Sequence, residues 1–223
     1  KDFEGLALSD QAKVLESAAE YLAYQQESEF FDLDIDESHL AELLKQRSYL
    51  DVSPQTPRID PPEVRPDQGH KSARIGVGYG YDDPMDFVQF DVRAVFHDLL
   101  DPQGGFIRGA QLEFLDTAMR YYPDENKLVL ERLRFIDIVS STPRGFFLKP
   151  FSWKANAGFD RKRFYDRDRS LVGDLNGGIG VSYDLSSSKS LFCAFAEGAA
   201  LLSGRFDENV ALGAGLSLNV FQI

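Results

Sequence analysis

The chain has 223 residues and a mass of 25.1 kDa, room for one large domain or one domain with a smaller appendage. Lys and Arg number 24 against 36 Asp and Glu, giving a net charge of -12 and a sequence pI of about 4.7. No basic stripe is visible, which argues against a nucleic-acid footprint. No run approaches the ~18 apolar residues of a transmembrane helix, but a membrane β-barrel escapes that test because its strands carry half their residues on a polar face.

Residues 1–50 read as a helical connector. Ser9 precedes a helix-forming run in which Val14, Leu15, Ala18, Ala19, Leu22 and Ala23 recur at helical spacing, ending near Gln26. Asp36 or Ser38 can cap a second helix with Leu40, Leu43 and Leu44 on one face, ending near Tyr49. Residues 51–69 hold Pro54, Pro57, Pro61, Pro62 and Pro66, a density that allows neither helix nor central strand, so they read as an extended linker.

From residue 70 the period changes from 3.6 to 2. In 72–81, Ile75, Val77, Tyr79 and Tyr81 alternate with Arg74, Gly76, Gly78 and Gly80. The segments 87–97, 152–160, 171–185 and 210–220 alternate in the same way. Segments 111–122 and 127–140 slip phase, between Phe114 and Leu115, between Leu130 and Leu133, and again at Ile136, as a bulge or bend would produce. Segment 190–202 is apolar on both faces apart from Glu197. These are eight consecutive strands with turns at 81–86, 123–126 and 186–188 and long loops at 98–110 and 141–151. The expected fold is mainly β: an antiparallel up-and-down meander barrel of about eight strands over 70–223, preceded by two short helices.

Two architectures fit. A soluble barrel turns its apolar face inward and binds an apolar ligand there; it requires Ile75, Phe90 and Ile179 to point inward. An outer-membrane barrel turns that face to lipid. Three features favour the second. Several segments reach about 10–14 residues, where a tilted membrane strand needs ~9–11 and ordinary strands average ~5–6. Aromatics such as Tyr79, Tyr81, Tyr121, Trp153 and Tyr183 lie near strand ends, as interfacial girdles do. The polar face mixes both charge signs with glycine.

The stretch from Gly69-His70-Lys71-Ser72 onward carries Phe96-His97-Asp98-Leu99-Leu100-Asp101-Pro102, then Gly109-Ala110-Gln111-Leu112-Glu113-Phe114-Leu115-Asp116. Leu130-Glu131-Arg132-Leu133, Ile136-Asp137-Ile138-Val139-Ser140 and Lys149-Pro150-Phe151-Ser152-Trp153-Lys154 follow, with Gly158 before Arg161. In these motifs the chain resembles an uncharacterised envelope family of Gram-negative bacteria. Its members pair an N-terminal periplasmic domain, similar to Lnb-type lipoprotein N-acyltransferases with a papain- or NlpC-like thiol fold, with a C-terminal β-barrel. The resemblance implies that this chain is the helical connector and barrel, located at the outer membrane with the connector in the periplasm. Its implied partners are its own upstream periplasmic domain and outer-membrane lipid. The thiol nucleophile would lie upstream of Lys1, so no enzyme activity and no cofactor are expected here. The start without Met fits a piece of a longer chain, and the stop at Ile223 in mid-strand fits a barrel that continues.

Among single residues, His97 with Asp98 or Glu113 could supply a general base for an outer-membrane hydrolase or acyltransferase. The structural reading is the stronger: His97 bonds the following loop, and Asp98 and Asp101 cap its turn. No metal motif is present. Glu113, Arg120, Glu131, Arg134, Asp137, Lys154 and Glu197 could line a lumen as a ligand passage, or pair into a rigid salt-bridged plug. Arg161, Lys162, Arg163, Arg167 and Arg169 form a basic cluster expected in one loop, a candidate contact for lipid headgroups or a solvated run neutralised by Asp160, Asp166 and Asp168. The lone Cys193 reads as a small buried hydrophobe.

Overall fold

A computed structural model describes residues 3–27, 37–53, 60–82, 84–99, 101–102, 104–165, 168–185 and 190–222. Asp36, Pro54, Pro57, Arg167, Asp166 and the expected turn at 186–188 lie outside the described residues. The chain divides into two compact units, Lys1–Asp60 and Pro61–Ile223.

The first unit packs helix α1 (Leu8–Glu27) against α2 (Glu37–Ser48). Ala12, Leu15 and Ala19, one turn apart on α1, are its buried residues. Arg47 of α2 donates from Nε to Glu16 of α1 at 2.7 Å and from Nη2 to the Val52 carbonyl at 2.9 Å, which ties the end of α2 to both neighbours. Among the described residues no helix is long and apolar enough to cross a membrane.

The second unit is one antiparallel sheet of eight strands in sequence order. They are β1 (Arg74–Asp82), β2 (Met85–His97), β3 (Ala110–Tyr122), β4 (Lys127–Ser140), β5 (Ser152–Arg163), β6 (Arg169–Leu185), β7 (Ser190–Leu202) and β8 (Val210–Gln222). The eight-stranded meander expected from the sequence is present. The sheet is not closed: β1 and β8 each pair on one side only. The phase slips fall where the alternation breaks. Leu115 has a left-handed φ of 53° and drops out of both of its ladders. The register shifts at Ala118/Met119, where Glu131 is the extra residue, and at Arg134/Ile136, where Phe135 is. A bulge inserts one residue into one strand, bends it and increases its twist.

The bends matter because this sheet curls strongly. Adjacent strands lie ~4.8 Å apart, so a flat sheet would hold β1 and β6 about 24 Å from each other. Asp82 at the end of β1 nevertheless pairs with Arg163 of β5 at 2.8 Å and with Arg169 of β6.

Burial along the strands is inverted relative to an ordinary core. Apolar side chains of one phase are exposed, Ile75 at 80% and Leu216 at 85% among them, while Glu113 of the other phase is 6% exposed. Asp116, Glu131, Ser152 and Ser182 are buried as well. Only one apolar cluster is buried among the strands' described residues: Leu191, Cys193 and Phe195 on alternate positions of β7, packed by Val139 and Phe221. Cys193 is fully buried and free.

Candidate functional site

The polar concave face holds its charges in pairs. Near the turn joining β1 to β2, Asp82 gathers Arg163 and Arg169, with Arg120 at 3.7 Å. Glu131, the bulge residue of β4, accepts from Arg169 Nη2 at 2.6 Å and has Arg120 at 3.7 Å and Arg161 at 3.8 Å. The guanidinium of Arg120 also donates from Nε to Gln89 at 2.8 Å and stacks 4.1 Å from the Phe87 ring centroid. Two carboxylates therefore hold four arginines, of which Arg120, Arg161 and Arg169 are largely covered and Arg163 is exposed.

Further along the face, Arg132 donates from Nη2 to Asp116 at 3.3 Å, with its Nε 2.7 Å from the other carboxylate oxygen, and Lys162 donates to Asp174 at 2.7 Å. Asp137 accepts from Asn156 at 2.9 Å and from Arg134 and Gln111 at 3.3 Å. Lys154 donates to Glu197 at 2.5 Å, and Ser217 donates to the same carboxylate. Arg93 donates to Glu113 at 2.7 Å and lies 3.9 Å from Asp98. The sequence candidates Glu113, Arg120, Asp137, Lys154 and Glu197 are thus all on this face, but in separate groups joined to partners in other strands.

The expected basic loop is corrected by the structure. Arg161, Lys162 and Arg163 are the end of β5 and Arg169 is the start of β6. The alternation of apolar residues fails there because these strand ends are charged on both sides. Their side chains turn to Glu131, Asp174 and Asp82. Arg161 also donates to the carbonyls of Leu130 and Arg169. Most of this positive charge is spent within the sheet.

A different arrangement surrounds His97. The segment leading into β1 folds back over the connection between β2 and β3. Gly69 lies against Phe106 and Gly104, where a Cβ would stand 2.7 Å and 2.8 Å from their atoms. Gly105 needs its φ of +85° and has no room for a side chain beside the Arg65 carbonyl. This contact brings His70 to His97, with His70 Nε2 and His97 Nδ1 2.8 Å apart. Both rings stack on Phe106, at centroid distances of 4.6 and 4.0 Å. Asp101 Oδ2 lies 3.9 Å from His70 Nε2 and accepts from the Asp98 backbone N–H at 2.9 Å. His97 is buried, and His70 and Asp101 are half-buried.

The sequence pointed to His97 and Asp98. The structure brings together His70, His97 and Asp101 instead, while Asp98 contributes its backbone N–H and stands near Arg93. His70 and Asp101 were visible in the motifs that open β1 and follow β2, but no spacing rule joins His70 to His97, 27 positions away at the far end of the β1–β2 hairpin.

A search of curated proteins and a search of solved structures each return no match. Two family models match, and both are described as domains of unknown function. DUF7842 covers residues 1–59 and DUF7840 covers residues 63–223, a division that coincides with the boundary between the two compact units. The second match takes in all eight strands, the paired charges and the His70–His97 contact, and it spans well over half of the chain: the protein belongs to the family of the domain of unknown function DUF7840.

Proposed function

We propose that residues 61–222 form the wall of an outer-membrane β-barrel domain that anchors or scaffolds a periplasmic domain lying upstream of this chain. The inverted burial carries the reading. Ile75, Val77, Leu212, Leu216, Leu218 and Val220 are each more than half exposed, and charged residues are buried in their place. Fully burying such a side chain is worth roughly 1.5–3 kcal/mol, so leaving a continuous apolar face in water is a large deficit. Lipid removes that deficit, and strands of 9 to 17 residues are long enough to cross the ~9–11 residues' worth of tilted membrane strand.

Aromatic side chains fit the two interfaces. Tyr79, Tyr81 and Tyr121 stand toward the short-turn end, and Trp153 and Tyr183 toward the other. The soluble alternative, with an apolar ligand inside, required Ile75, Phe90 and Ile179 to point inward. They are 80%, 40% and 47% exposed, and the concave face is lined by ion pairs. The paired interior favours a salt-bridged, rigid wall over an open passage. The identity of the upstream domain, an Lnb-type thiol acyltransferase or peptidase-like fold, rests on the resemblance of the strand motifs.

Detergent-phase partitioning of the purified chain tests this reading. The chain should enter the detergent phase and precipitate when detergent is withdrawn. A chain that stays soluble and monomeric without detergent contradicts it.

A further inference from the structure

We infer that His70, His97 and Asp101 form a binding site for one borderline divalent transition-metal ion of the Zn2+ class, which pins the segment entering β1 to the connection after β2. The inference does not depend on whether the sheet meets a membrane.

The donor set is two imidazoles and one carboxylate, with one ligand atom from each residue lying within 4.8 Å of the others. Two histidines with a carboxylate and an open fourth position are a common three-ligand arrangement for zinc. Metal–ligand bonds of ~2.0–2.1 Å at tetrahedral angles put ligand atoms about 3.3 Å apart. The His70–His97 separation of 2.8 Å and the His70–Asp101 separation of 3.9 Å are each about half an ångström from that value, and all three ligand atoms lie within 4.8 Å of one another, so closing the set takes shifts of at most about 1.5 Å.

The surroundings already orient the ligands. His70 Nδ1 lies 3.0 Å from the Lys71 carbonyl, which can only accept. In the neutral ring the proton therefore sits on Nδ1, and the Nε2 lone pair faces His97 and Asp101. Metal-bound histidines are typically held in this way, by a carbonyl or carboxylate on the nitrogen that does not bind. His97 must then donate from Nδ1 to His70 Nε2 while the metal is absent. On binding it carries its proton on Nε2 and offers the Nδ1 lone pair, so no net proton is released from the ring. Phe106 stacks on both rings and limits their rotation, with an interplanar angle of 6° to His97. The Asp98 N–H fixes the Asp101 carboxylate. Nitrogen and oxygen donors without thiolate suit Zn2+, Ni2+ or Cu2+ over Ca2+ or Mg2+.

Isothermal titration of tag-free, chelator-treated full chain with Zn2+, followed by metal analysis after dialysis, tests the site. One equivalent of zinc per chain is expected. His70→Gln and Asp101→Asn should weaken it by at least ~100-fold, because even residues that merely orient a ligand are worth roughly 10–100-fold. No stoichiometric zinc, or unchanged affinity in His70→Gln, overturns the site and leaves a plain imidazole–imidazole hydrogen bond. Should the variants fail to fold, X-ray absorption of the Zn2+-loaded wild type decides alone: imidazole scattering with N/O ligands supports the site, and its absence overturns it.

Discussion

Arg169 Nη1 donates to Asp82 Oδ2, although the two residues are 87 positions apart and belong to strands β6 and β1. The same guanidinium donates from Nη2 to Glu131 of β4 at 2.6 Å. One side chain therefore links three strands across the hollow of the sheet. The pair reports the curvature that the backbone ladders alone leave unstated, and it puts a fixed charge network where an ordinary β-sandwich would place leucines.

Removing Asp82 should cost stability through the arginines it leaves behind. Breaking a buried pair costs about 3–5 kcal/mol and an exposed one about 0–1. Asp82 and Arg169 are each about a fifth exposed in their side chains, so Asp82→Ala should cost about 1–3 kcal/mol in urea-induced unfolding. The double variant Asp82→Ala/Arg169→Ala should lose clearly less than the sum of the singles. Additive losses would mean that the two charges do not act as a pair.

A charge on the convex face separates lipid from water as its solvent. Leu175 lies within β6 opposite Ala157, at the middle of β5, and is 49% exposed. Facing lipid, Leu175→Arg should destabilise the folded chain in vesicles by roughly 2–4 kcal/mol. On a water-exposed surface the same change stays within about ±0.5 kcal/mol. Unfolding midpoints in vesicles decide between these values.

Glycines on the concave face make unequal demands. A Cβ on Gly158 would stand 2.5 Å from the Leu133 carbonyl and 2.8 Å from Arg134 Cα, beside the Phe135 bulge. Gly213 of β8 has nothing within 4 Å. Gly158→Ala should cost about 1–3 kcal/mol, as overpacking does, while Gly213→Ala should be close to neutral. Equal folding yields and midpoints for the two variants would show that the close approach at the bulge is not needed.

Much of the sheet was legible in the sequence because its alternation is strict. Val210 to Val220 keeps one phase for the whole of β8, and Lys127–Ser140 and Ser190–Leu202 match the strands residue for residue. The bulges at Glu131 and Phe135 were legible as breaks in phase. Arg161–Arg169 misread as a loop because its strand ends lack apolar residues, and their carboxylate partners lie in β1, β4 and β6. The His70–Asp101 contact left no periodic trace at all. It depends on a non-repeating segment folding back over a loop, with Gly69 and Gly105 making the room.

The most direct test uses the only tryptophan. Trp153 is the second residue of β5, pairs with Ile179 and lies 44% exposed on the apolar face. Fluorescence of the chain reconstituted in vesicles of acyl-brominated lipid reads its surroundings without any substitution. The account predicts blue-shifted emission, strong quenching by the brominated chains and little quenching by aqueous iodide. Red-shifted emission quenched by iodide and untouched by bromine would contradict a face turned to lipid.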